Sequence, residues 1–147
     1  MNFEDKINEL NIRLPDAKAP VGNYVATKIV GNLLYVSGQV SINSNGELIK
    51  GKVGKDLTTD EAYKAAERCG MSIVAQAKKA CAEDLSKIKS CIKLTGFVNS
   101  TDDYTEQPKV INGASDLIAS IFGDAGMHTR AAAVSYTHLT LPTILLV

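Results

Sequence analysis

An α+β single domain is the fold class this sequence predicts, on three observations. A capped stripe of alanines at helical spacing runs from Thr58 to Ala80, a second apolar stripe runs from Val110 to Phe122, and β-rich runs lie before the first of these and between the two. Strands, helix, strand, helix, with no repeat and no linker, fit two long helices laid against one mixed sheet. The chain has 147 residues, 45% of them hydrophobic. That is one domain's length with enough apolar content for one core, which excludes a disordered tail or a collagen-like chain.

Residues 2 to 12 predict a short amphipathic helix with Phe3, Ile7 and Leu10 on one side. Leu14-Pro15 is expected to end it, because the residue before proline avoids the right-handed helical region. After a loop holding Pro15, Pro20 and Gly22, two β-rich runs, Tyr24 to Val30 and Leu33 to Ser37, flank Gly31-Asn32. That pair accepts the positive φ of a two-residue hairpin turn. Ser44-Asn45-Gly46 marks a further turn, and Glu47 to Lys50 a short third strand.

Thr58 with Glu61 three residues on forms a capping box, and Ala62, Ala66, Cys69, Ile73, Ala77 and Ala80 follow at helical spacing. A stripe this small predicts a helix lying close against a sheet, with Gly70 allowing the approach. Ile88, Ser90, Ile92 and Leu94 alternate with Lys89, Cys91, Lys93 and Thr95, a strand with one wetter face that extends to Val98. Pro108 suits the first turn of the last helix, where Val110, Ile111, Ala114, Leu117, Ile118, Ile121 and Phe122 share one face, and Gly123 is placed to end it in the left-handed conformation.

Sixteen basic residues balance sixteen acidic ones. A neutral chain lacks the electrostatic footprint that nucleic acid or anionic lipid demands. Lysines 78 to 93 are interleaved with Glu83 and Asp84 and read as a solvated face. Glu4, Asp5 and Lys6 replace the apolar run of a signal peptide, and no stretch approaches the roughly 20 apolar residues of a membrane span, so a soluble cytoplasmic protein is expected. Cys69, Cys81 and Cys91 are odd in number and have no partner at metal-ligand spacing, which points to reduced core thiols and to no metal or haem.

Leu14-Pro15, Ala19-Pro20-Val21-Gly22-Asn23-Tyr24, the block from Gly31 through Ser37-Gly38-Gln39, and His128-Thr129-Arg130-Ala131-Ala132 resemble, in order and spacing, the Rid family of reactive-intermediate deaminases, formerly called YjgF or L-PSP endoribonuclease proteins. The resemblance covers Leu14 to Ala132. It implies a chorismate-mutase-like α+β fold with a six-stranded sheet backed by two helices, and a homotrimer with pockets between subunits. It also implies hydrolysis of 2-imino acids, tautomers of enamines of the 2-aminoacrylate type, to a 2-keto acid and ammonia without a cofactor.

An imino acid offers a carboxylate and an electrophilic C=N carbon, so its site needs a fixed cation and a held water. Arg130 matches the family's carboxylate-binding arginine and is the expected catalytic residue, its fork gripping a carboxylate bidentately. By the same resemblance Tyr24, Ser37, Gly38 and Asn112 are expected to bind substrate. His128, a residue type able to exchange protons near neutrality, is read as structural because the family does not require it.

From Val134 the chain reads Val-Ser-Tyr-Thr-His-Leu-Thr-Leu-Pro-Thr, which is similar to one translated frame of a transposase sequencing adapter. The expected division is therefore a domain over residues 1–133 and a non-native tail over 134–147, in which His138 has no role. The tail offers no match to the family's water-orienting glutamate, so low deaminase activity is expected of the chain as written, with its stability and trimer in doubt. A non-catalytic trimeric module that binds a small carboxylate is the alternative. Ribonuclease activity is disfavoured by the neutral charge, the absence of tryptophan and an aromatic content of 5%.

Overall fold

A computed structural model describes residues 2–135 of the chain. Its first helix, α1 (Phe3–Glu9), starts where the Asn2 side chain accepts from the Glu4 N–H. It stops well before Pro15. Asn11 takes a left-handed φ of 56°, the Ile12 N–H reaches back to the Ile7 carbonyl and the Asn11 N–H to that of Asn8. This is a Schellman closure, satisfying end carbonyls locally so that proline is not needed to end the helix. Ile7 is buried, and Phe3 meets Phe122 edge to face with centroids 4.8 Å apart.

The expected hairpin forms as β1 (Thr27–Val30) and β2 (Leu33–Val36), antiparallel with Val30 opposite Leu33 and Gly31 at φ 57°. The strand expected at Glu47–Lys50 is reduced to an isolated bridge between Ile42 and Leu48. The Asn43 side chain accepts from the backbone N–H groups of Asn45 and Glu47, giving the chain a local alternative to a ladder.

Helix α2 (Thr59–Ala80) begins at the predicted capping box, with both the Thr58 and the Glu61 side chains engaged. Its small face is directed differently from expectation: Gly70 lies against Leu117 and Ala114 of α3 (Gln107–Phe122), so the alanine stripe seats mainly a helix, with the hairpin a lesser contact. Gly113 completes the crossing, since a Cβ there would overlap the Tyr63 carbonyl oxygen. Across the same helix pair Tyr63 donates to Asp116 at 2.8 Å. The core gathers Ile7, Val74, Leu85, Leu94 and Val98 around Val110, Leu117, Ile118 and Ile121.

The strand expected from Ile88 is regular only as β3 (Lys93–Val98), preceded by a 3₁₀ turn at Leu85–Lys87. Through α3 the chain crosses to β4 (Thr129–Val134), parallel to β3 with Leu94 opposite Arg130. The described residues thus hold two two-stranded sheets in place of one mixed sheet, and the six strands implied by the family resemblance are not formed among them. Val53, before α2, bridges to Leu57 and to Ser100 just beyond β3. β4 carries its pairing to Val134, opposite Val98, and Ser135 donates to the Val98 carbonyl. The rest of the expected tail, His138 included, lies outside the described residues.

Candidate functional site

The route from α3 to β4 puts a polar cluster on the surface. Gly123 ends α3 at φ 58° and ψ −132°, the mirror of an extended conformation and not the expected left-handed helical one, and glycine alone enters it without strain. A 3₁₀ turn at Gly123–Gly126 follows, Gly126 packed closely on the Ile118 carbonyl, and the chain then runs back along α3 with His128 and Arg130 two residues apart. Residues two apart in extended chain point the same way. Across from them, Asn112 and Ser115 are three apart on α3, a polar interruption beside its apolar face.

These four side chains are joined. Arg130 Nη1 donates to Asn112 Oδ1 at 2.6 Å and to Ser115 Oγ at 3.3 Å, Ser115 Oγ lies 3.0 Å from His128 Nε2, and His128 Nδ1 lies 2.6 Å from the Gly126 carbonyl oxygen. Arg130 is exposed; Asn112, Ser115 and His128 are half-buried. No salt bridge of Arg130 occurs among the described residues.

Arg130 and Asn112, both expected from the sequence, are therefore brought into contact. Tyr24, Ser37 and Gly38 lie on the other sheet piece. Tyr24 is 51% exposed in the loop before β1, and Ser37 closes the open end of the hairpin, its N–H donating to Ala26 and its hydroxyl to the Val25 carbonyl at 2.6 Å. Gly38 follows with open space where a Cβ would stand. No hydrogen bond links these three to Arg130 among the described residues. Sequence reading missed Ser115 altogether and set His128 aside. The spacing of Ser115 from Asn112 and of His128 from Arg130 was the available signal.

Among the described residues no group of three His, Cys, Asp or Glu side chains is placed to hold a metal ion, and no helix is long and apolar enough to cross a membrane. A groove of about 420 Å³ lies between Gly54, Thr58, Glu61 and Tyr104, and one of about 300 Å³ between Leu14, Ala75, Lys78 and Glu83. Neither includes Arg130, whose surroundings in a single chain are open.

Residues 4–147 match the family model described as "YjgF/chorismate mutase-like, putative endoribonuclease". The chain is 44% identical over 127 residues to Protein TCP17 of Trypanosoma cruzi, covering 86% of this chain and 79% of that one. A crystal structure of a protein of unknown function from Agrobacterium tumefaciens superposes with a TM-score of 0.82 at 47% identity, covering 90% of this chain and 82% of the other. One titled "putative endoribonuclease", from Shewanella oneidensis MR-1, gives 0.87 at 37% identity, with coverage of 92% and 89%.

Proposed function

Because this chain belongs to the YjgF/chorismate mutase-like family, we propose that it is a cofactor-free deaminase, working in the cytoplasm as a homotrimer, that hydrolyses 2-imino acids to 2-keto acids and ammonia. The observation that carries the reading is the exposed Arg130 guanidinium, pinned at one nitrogen by Asn112 and without an acidic partner among the described residues. A planar fork held at one end offers its remaining N–H groups to a carboxylate as a bidentate pair. With the carboxylate gripped, the C=N carbon has a fixed place, and water adding to it gives a carbinolamine that expels ammonia and leaves the keto acid.

Tyr24 and the Ser37-Gly38 backbone, on the hairpin, are assigned to the far side of the substrate and would be supplied by a neighbouring copy. Support comes from the outward row of the hairpin: Val30, Leu33 and Tyr35, 54%, 42% and 57% exposed, are large apolar groups that a second copy would cover.

No Asp or Glu follows Asp124 in the sequence, so the acid expected to orient the water is unmatched. That observation favours slow turnover, and it is the basis for a second reading, a non-catalytic module binding small carboxylates. One preparation tests both. Added to a threonine dehydratase reaction in excess, the chain should speed keto-acid release, and Arg130→Ala should remove the effect. Arg130-dependent binding of 2-oxobutanoate without acceleration would establish the second reading, and neither effect would defeat both. Substrate RNA should remain intact in parallel, given a net charge of zero.

A further inference from the structure

Protonation in the Arg130 cluster follows from its geometry. A backbone carbonyl only accepts, so the 2.6 Å contact with Gly126 requires a proton on His128 Nδ1. In the neutral ring Nε2 is then an acceptor, and the Ser115 hydroxyl, 3.0 Å away, must donate to it. With its hydrogen committed, Ser115 Oγ turns lone pairs to Arg130 Nη1. Nη1 carries two N–H bonds, enough to serve both Asn112 Oδ1 and Ser115 Oγ. One hydrogen bond would leave the guanidinium free to swivel about the donor–acceptor line; two, diverging from the same planar nitrogen, fix its plane.

We infer that Ser115 and His128 are positioning residues for Arg130: Ser115, oriented by His128, joins Asn112 at Nη1, so the edge presented to a ligand is the one formed by Nε and Nη2. That edge carries two parallel N–H bonds at the spacing of the two oxygens of a carboxylate. The inference rests on the reading of Arg130 as a carboxylate clamp and deepens it by naming what holds the clamp and which edge grips. The edge favours a carboxylate approaching side-on, and an ester or amide of the same acid, offering one acceptor oxygen to the pair, is rejected.

Calorimetric titration of the full chain with 2-oxobutanoate is the test, with thermal midpoints as a folding control. Ser115→Ala should weaken binding about tenfold, the loss of one hydrogen bond to a charged group, and His128→Leu should approach that loss by leaving the Ser115 hydroxyl unoriented, while His128→Gln, whose side-chain oxygen can still accept from Ser115, stays within about threefold. In an Arg130→Lys background Ser115→Ala should have no further effect, because the planar guanidinium that Ser115 orients is absent. Full affinity in folded Ser115→Ala and His128→Leu would overturn the inference while leaving the clamp intact, as would additive losses in the double variant. Should Ser115→Ala fail to fold, the His128→Gln and His128→Leu pair decides by the same criterion. Absence of binding by the unaltered chain would overturn the clamp itself and this inference with it.

Discussion

Arg130 and Cys69 are both functional-group residues that composition treats alike, as one more cation and one more thiol, and their surroundings separate them. Arg130 stays exposed with one end tied down, which suits a group that meets a ligand. Cys69, on the inner side of α2, has its thiol pushed up to about 11 by burial. At pH 8 that leaves roughly a hundredfold less thiolate than an ordinary cysteine. Cys69 is expected to resist alkylation by iodoacetamide at pH 8 in the folded protein and to react promptly in denaturant, as mass spectrometry of the labelled chain would show. Labelling in the native state at the rate of a free thiol would contradict it. The sequence placed Cys69 in the helical stripe and read it as a reduced core thiol; in the structure it is half-buried. For Ser115 the sequence offered only the three-residue spacing from Asn112, and a serine on a helix has the same pattern whether it faces water or a guanidinium.

Among the elements, α2 was the most legible, because a capping box and a stripe repeating over several turns are local signals. What the stripe packs on was not legible: small residues permit close approach to either a sheet or a helix. The answer lies at the α2–α3 crossing, where Gly70 and Gly113 let two backbones come together. Gly113→Ala should therefore destabilise the fold by on the order of 2–3 kcal/mol, through overpacking at a backbone that cannot retreat, read as a lower denaturant midpoint at unchanged slope. A midpoint like that of the unaltered chain would show the helices free to move apart. The ends of elements were less legible still. Asn11 stops α1 and Asn43 prevents a third strand, both by side-chain or left-handed backbone chemistry that a hydrophobic pattern does not register.

At the scale of the molecule, the described chain leaves much of the hairpin apolar and bare: Val25, Ile29, Val30, Leu33 and Tyr35 are all exposed. Val30, Leu33 and Tyr35 share one face of the hairpin, and a monomer in water does not ordinarily leave such a row of large apolar groups uncovered. The chain is expected to sediment as a trimer at micromolar concentration, and Leu33→Glu, which puts a charge in the middle of the outward row, should shift it to smaller species with its secondary structure retained. A monomer that remains monomeric at every concentration, with and without Leu33→Glu, would remove the basis for a site completed by the hairpin of a second copy.

The amino-acid sequence by itself determined the α+β class, both long helices and the hairpin turn, since these rest on periodicity, capping and turn chemistry, whereas Asn112 and Arg130 were singled out only by resemblance to the family. Only the tertiary structure decided that α2 seats α3, and that Ser115 and His128 join Arg130. Those contacts link residues far apart in the chain or on different elements, and they depend on how closely two backbones can pack and on where the turn at Gly123–Gly126 delivers the next strand.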